Sequence, residues 1–241
     1  MKEEIRENIA AIRQRMNEAA RKAGRNPAEI QLCAASKMND AQRVLCAVEG
    51  GVDCCGENRV QELREKQPQG AYGDKPVHFI GRLQTNKVKY VVGNVSLIQS
   101  VDRQELLEAI EKQAAKLGVV QDILLEVNVG CEASKAGFSL DEVDEVAAHM
   151  ANFPHVHLRG LMAIPPISHE SGENFTYFQK MHAKWVDISA KKYDNVNMDC
   201  LSMGMSDDFE DAIACGSTMV RVGTAIFGRR NYPVKPILES E

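Results

Sequence analysis

Eight short apolar segments recur along this chain, at residues 30–36, 52–56, 77–81, 97–101, 123–129, 156–164, 198–203 and 219–222, with helical pattern between consecutive ones. A nearly continuous apolar run of strand length suits a strand covered on both faces, as in a parallel sheet with helices outside it. Neither a Pro/Gly/Ser linker nor a low-complexity segment interrupts the alternation. The pattern therefore predicts one domain over residues 1–241, a (β/α)8 TIM barrel. An open doubly wound sheet is the competitor, but no G-x-G-x-x-G follows the first strand and the alternation runs to eight. An additional N-terminal helix is expected over residues 3–23, where Ile5, Ile9, Ile12 and Met16 share a face and Gly24 closes it.

Smaller signals fill in the helices. Ser139-x-x-Glu142 and Asp102-x-x-Glu105 read as capping boxes, and Gly118 as the end of the helix holding Leu106, Leu107 and Ile110. Asp40 reads as the cap of the helix after the first strand, and Ser206, with Asp207 and Asp208, as another N-cap. Phe175, Phe178, Met181, Trp185 and Ile188 lie on one helical face, which places Trp185 in the core.

Charge and cysteine usage exclude several classes of function. The net charge is −5, and Lys and Arg are interleaved with acids, so no nucleic-acid footprint is expected. The opening MKEEIRENI is too charged for a signal peptide, and no apolar run approaches a membrane span. A cytoplasmic protein without a membrane partner is the expectation. Seven cysteines stand without a C-x-x-C pair and without a His at metal-ligand spacing. They read as small buried hydrophobes in a reducing compartment, and no metal site is expected. Cys54 and Cys55, neighbours on a strand, point to opposite faces and make no redox pair.

In such a barrel the function sits at the C-terminal ends of the strands, with a phosphate site commonly between the last two. Ser202 ends the seventh candidate strand, and Gly223–Thr224 follows the eighth and opens a short apolar turn. Bare backbone N–H groups beside two hydroxyls suit a phosphate, although Gly-Thr after a strand also makes an ordinary turn. Lys37 ends the apolar run LCAASK. A partly desolvated amine there would attack a carbonyl; the alternative is a solvated lysine opening a loop. Together the amine and the cradle suit a phosphorylated aldehyde, either pyridoxal phosphate or a sugar-phosphate aldol substrate. Arg221, within VRVG, can face a pyridine nitrogen from the inner face of the last strand, or pair with a carboxylate such as Glu57.

The runs ASK (35–37), GENRVQE (56–62), HFIGRLQTNKVK (78–89), NVGCEASKAGF (128–138), RGLMAIPP (159–166) and LSMGMSDDFEDAI with VRVGTAIFG carry a closer likeness. Together, over residues 30–232, they resemble the pyridoxal phosphate homeostasis protein family, also called the YggS or PROSC type, whose fold is similar to the barrel domain of alanine racemase. The resemblance implies that Lys37 is the Schiff-base lysine and that Ser202, Gly223 and Thr224 hold the phosphate. It also implies that Arg221 faces the pyridine nitrogen and Asn58 lies beside the cofactor, pyridoxal 5'-phosphate. The chain departs from the family at Met38–Asn39–Asp40, where S-K-x-x-P is common, at Cys55, where an aromatic is common, and at Cys131. Lys135 reads as a solvated loop lysine or a transient acceptor of the cofactor, Lys87 and Lys89 as a solvated helix start, and His78 as a hydrogen-bonded core histidine.

Two classes of function share this cofactor. One is a carrier or buffer that takes part in cofactor homeostasis, without substantial catalysis, and hands it to pyridoxal-phosphate-dependent apoenzymes. The other is an amino-acid racemase. Racemisation needs acid/base groups on both faces of the ring; only Lys37 offers itself, and none of Tyr72, Tyr90, Tyr177, Tyr193 and Tyr232 stands at a strand end. Alanine racemases add a second domain after the barrel, whereas this sequence stops shortly after Gly228, so an open mouth and a monomer are expected. A Schiff-base aldolase without the cofactor, with Glu57 as its base, is the third reading.

Overall fold

The apolar segments pair side by side in chain order and close into a parallel barrel. In the computed structural model, which describes residues 2–132, 135–166 and 172–228, the strands are β1 (Gln31–Ala35), β2 (Cys54–Glu57), β3 (Val77–Phe79), β4 (Leu97–Val101), β5 (Gln121–Val127), β6 (Val156–Ala163), β7 (Val196–Ser202) and β8 (Met219–Val222). Closure comes from β1, which pairs with β2 through Cys33↔Cys54 and with β8 through Cys33↔Arg221. This is the (β/α)8 TIM barrel expected from the alternation.

The helices are α1 (Lys2–Lys22), α2 (Ala41–Glu49), α3 (Val60–Lys66), α4 (Gln104–Leu117), α5 (Leu140–Ala148), α6 (Phe175–Lys191), α7 (Phe209–Ala214) and α8 (Thr224–Phe227). Between β3 and β4 a 3-10 stretch, Thr85–Tyr90, takes the helical place. α8 is a single turn, too short to cover β8 and β1. The outer wall there is supplied by α1, which buries Ile5, Ile9, Ile12, Met16 and Ala20 and packs against α2, α7 and α8. Among the described residues no helix is long and apolar enough to cross a membrane.

Local signals held where nothing competed for the side chain. Asp40 accepts from Arg43 N at 2.8 Å and caps α2, Ser139 and Glu142 form a reciprocal capping box on α5, and Gly118 (φ 67°) ends α4. Two caps differ from expectation. α4 starts at Gln104 with Arg103 before it, because the Asp102 carboxylate is taken by Arg103 and faces Arg82 at 3.9 Å. α7 starts only at Phe209, because Asp208 organises the preceding turn, accepting from Met205 N at 2.7 Å and from Asn174 Nδ2 at 2.9 Å. Ser206 therefore caps nothing in α7. Trp185 also differs, being half-buried at the edge of the core, stacked on His182, where its indole N–H is buried without an acceptor among the described residues.

Two hydrophobic layers result. The larger lies between sheet and helices; inside the barrel, Leu97, Leu124 and Met162 form one small cluster and Cys33, Cys54 and Met219 another, with Cys200 against both. Cys54 and Cys55 do face opposite ways, Cys55 belonging to the outer layer.

Candidate functional site

Because β1 lies between β2 and β8, the segments after these three strands meet at one end of the barrel. Ala35 pairs with Gly56 on one side, and on the other Ala34 pairs with Val222. Lys37 therefore emerges between Asn58, which follows β2, and Gly223–Thr224, which follow β8. Lys37 is half-buried, and Met38 after it turns the chain with φ 62° while its N–H donates to Glu62 at 2.7 Å. The backbone of Asn58 is pressed against Gly81, where a Cβ would lie 2.3 Å from the Asn58 carbonyl oxygen. Its side-chain Oδ1 is buried and has no hydrogen-bond partner among the described residues.

Gly223 stands before the first turn of α8, packed so that a Cβ there would meet Ala35 O at 3.2 Å, and Thr224 is exposed to solvent. Sequence reading missed Ser206 here: its Oγ lies 3.5 Å from Ala225 N, at the start of α8. The signal was visible, a hydroxyl two residues past the Gly204 turn, but it was assigned to capping α7. Gly204, with φ 95°, makes the turn that brings it across, and a Cβ there would strike Ala212 Cβ at 2.6 Å.

Ser202 is oriented inward. Its hydroxyl, fully buried, donates to Gln99 Oε1 at 2.7 Å and accepts from Arg221 Nη1 at 2.6 Å. Arg221 also donates to Ser202 O and to Ala163 O, both at 2.9 Å. Burial lowers its pKa, and among the described residues it forms no ion pair. Glu57, considered as its partner and as a base near Lys37, serves neither purpose. β2 turns Glu57 outward, where it accepts from Lys66 Nζ at 2.8 Å, Ser36 Oγ at 2.6 Å and Tyr72 O–H at 3.2 Å. Burial raises its pKa while Lys66 and Ser36 oppose the shift.

A different carboxylate, at the mouth, escaped the sequence reading. Glu126 lies near the end of β5, in the alternation that puts Leu124 inside the barrel. Burial, and then the nearby Asp102 charge, push its pKa up to about 7, opposed by Arg221 and Arg82. Lys135 Nζ pairs with Glu132 at 2.7 Å and donates to Pro165 O at 3.2 Å, and Lys89 lies over the Tyr90 ring at 5.0 Å. Tyr72 is buried in the outer layer, Tyr90, Tyr177 and Tyr193 pack against it, and Tyr232 lies outside the described residues.

Beneath Ser202 the polar chain continues downward. Gln99 Nε2 approaches His78 Nδ1 at 2.9 Å and Met219 Sδ at 3.1 Å, and His78 Nδ1 lies 3.5 Å from Cys54 Sγ. His78 is thus the hydrogen-bonded core histidine anticipated. It also completes a buried group with Cys33 and Cys54, all three ligand atoms within 4.8 Å of one another. That juxtaposition crosses three strands and leaves no spacing along the chain.

The fold agrees with what known proteins show. The pattern of the family described as alanine racemase, N-terminal domain, matches residues 4–231. The pyridoxal phosphate homeostasis protein of Aquifex aeolicus is 42% identical over 226 residues, covering 94% of this chain and 98% of that protein. The protein of the same name from Escherichia coli K12 is 39% identical, covering 96% and 99%. The solved structure of PipY from Synechococcus elongatus PCC7942 with PLP bound superposes with a TM-score of 0.79 at 30% identity, covering 93% of this chain and all of that one. By sequence over nearly its whole length and by fold, this chain belongs to the alanine racemase N-terminal domain family, among the pyridoxal phosphate homeostasis proteins.

Proposed function

We propose that this protein binds pyridoxal 5'-phosphate through Lys37 and serves cofactor homeostasis as a carrier or buffer, without substantial catalysis. The observation that carries the reading is Arg221: a buried guanidinium with no carboxylate partner among the described residues, held by neutral oxygens, on the strand beside the one that leads into Lys37. A buried cation so placed favours an electron-rich acceptor above it, and a pyridine nitrogen is one. The orphaned Asn58 Oδ1 and the close-packed Gly223 fit the same ligand at its edge and at its phosphate. When bound, the cofactor supplies an aldehyde that condenses with an amine.

The residues then divide the work. Lys37 supplies the amine from a half-buried position. Gly223, Thr224 and Ser206 offer backbone N–H groups and hydroxyls to the phosphate at the start of α8, with Ser202 below them. Arg221, donating its N–H groups, keeps the ring nitrogen unprotonated and the ring a weak electron sink, which suits storage more than turnover. The names of the relatives describe homeostasis and no reaction. Release to pyridoxal-phosphate-dependent apoenzymes, action as a monomer and residence in the cytoplasm complete the proposal; free cysteines at every position suit a reducing compartment.

The test is the visible absorbance of protein with added pyridoxal phosphate, wild type beside Lys37→Ala, followed by borohydride reduction and peptide mapping. A band in the wild type alone, with the reduced adduct on Lys37, is expected; the same band in the variant overturns the assignment. A racemase is the second reading, favoured by Glu126 as an acid/base group near neutrality across the mouth. D/L exchange of alanine that vanishes in Glu126→Gln would establish it.

A further inference from the structure

We propose that Cys33, Cys54 and His78 form a binding site for a thiophilic d10 cation, Zn2+ or Cu+, in the interior of the barrel beneath the cofactor site. The three side chains come from β1, β2 and β3 and converge because Cys33 pairs with Cys54, while His78 lies beside Gly56, two residues further along β2. All three are buried, and Gly56 leaves the space: a Cβ there would lie 3.0 Å from Cys33 Sγ.

The distances suit a metal. Tetrahedral Zn2+, with bonds of about 2.3 Å to sulfur and about 2.0 Å to nitrogen, separates its ligand atoms by about 3.5–3.8 Å. Cys54 Sγ and His78 Nδ1 are already 3.5 Å apart. All three ligand atoms lie within 4.8 Å of one another, so closing on a metal asks for movements of at most about 1 Å. The Gln99 amide, fixed by the Ser202 hydroxyl on its oxygen, directs its N–H toward Nδ1, which identifies Nδ1 as the nitrogen that carries the lone pair; a bound metal takes that lone pair in place of this hydrogen bond.

Donor chemistry selects the cation. The set is two thiols and an imidazole, with the Met219 thioether packed against both cysteines and no carboxylate in the group. Soft donors of this kind select Zn2+ and Cu+ over Mg2+ or Ca2+. Two thiolates neutralise Zn2+, and Arg221, which pairs in register with Cys33, offsets the extra negative charge left by Cu+. On binding, two S–H bonds give way to two S–metal bonds and both protons leave to solvent. His78 keeps its proton on Nε2, and no atom changes oxidation state. Entry is from the N-terminal end of the barrel, where a cavity of about 510 Å3 is lined by His78, Cys200 and Met219.

The test uses reduced, chelator-treated wild-type protein, with and without pyridoxal phosphate, titrated with Co2+ as the spectroscopic stand-in for Zn2+, then with Zn2+ and with Cu+ under a competing chelator. One ion per chain, a thiolate-to-cobalt charge-transfer band and release of two protons per divalent ion are expected. Cys33→Ser and Cys54→Ser should remove the band and weaken binding by at least about 100-fold, and His78→Gln by about 10–100-fold. Cys46→Ser and Cys131→Ser should leave binding unchanged. The two metal arms tell which ion the site prefers. Failure of the wild type to bind either ion, binding indifferent to Cys33→Ser and Cys54→Ser, or binding lost in Cys131→Ser overturns the proposal. Should the core variants fail to fold, X-ray absorption of the Zn2+-loaded wild type decides: a shell with two sulfurs at about 2.3 Å and a nitrogen at about 2.0 Å is expected, and a shell without sulfur sinks the site.

Discussion

Glu126 is held in the protonated form by its surroundings more than any other described carboxylate near the mouth, its pKa rising from 4.5 to about 7. The native state therefore binds this proton more tightly than the unfolded chain does. The stability it contributes is fully present below about 4.5 and is lost as pH rises through about 7. Glu126→Gln, which keeps the shape and removes the charge, should flatten that slope and gain on the order of 1–2 kcal/mol at about pH 8, allowing for partial solvent screening. Urea unfolding at about pH 5 and about pH 8 measures both; an undiminished slope in the variant would place the titration elsewhere. Glu57 shows the other fate of a buried carboxylate, kept in place by Lys66, Ser36 and Tyr72 on the far side of the sheet.

At the scale of the element, the strands were legible because a strand buried on both faces must be apolar throughout, and the observed β4 and β8 coincide with their apolar runs. Lys37, Asn58 and Gly223 were legible for a related reason: a barrel brings residues that follow neighbouring strands to one mouth. What a side chain faces is harder to read. One residue of register exchanges inside for outside, which is why Glu57 was taken for a mouth residue and Glu126 was overlooked. Cys33, Cys54 and His78 are separated in sequence and meet only through pairing across strands. Competition decided the caps, since Asp102 and Asp208 had stronger partners than a helix start. Pairing geometry also makes a prediction at Gly160, whose φ is 147° and where a Cβ would lie 1.7 Å from Cys200 O, at the irregularity between β6 and β7. Gly160→Ala should cost more than about 3 kcal/mol by parting these strands. Gly118→Ala, with φ 67° and nothing within 4 Å, should cost about 1 kcal/mol. Comparable losses for the two in urea unfolding would mean that the sheet yields at Gly160.

In the whole molecule, α1 is the piece that the barrel's own repeat lacks. α8 is one turn long, so the proposed phosphate end of the site rests on an element too short to stand alone. Two other helices hold it: Asn8 of α1 donates to Ile226 O at 3.0 Å, and Arg43 of α2 donates to Phe227 O. α1 is thus tied to the turn proposed to receive the ligand. This separates two roles of α1 that a truncation would confuse. Ile9, almost fully buried against Gly50, anchors the helix to the barrel, so Ile9→Ala should cost about 2–5 kcal/mol in urea while the folded protein binds pyridoxal phosphate as before. Asn8→Ala removes one hydrogen bond and should cost only about 1 kcal/mol of stability. It frees the Ile226 carbonyl and loosens the first turn of α8, so its cofactor affinity should fall about 3–10-fold, mostly through faster release. Titration and urea unfolding of both variants give a crossed result if α1 positions the site. Equal affinities would instead leave α8 held by Arg43 and its own packing, with α1 a cover and nothing more.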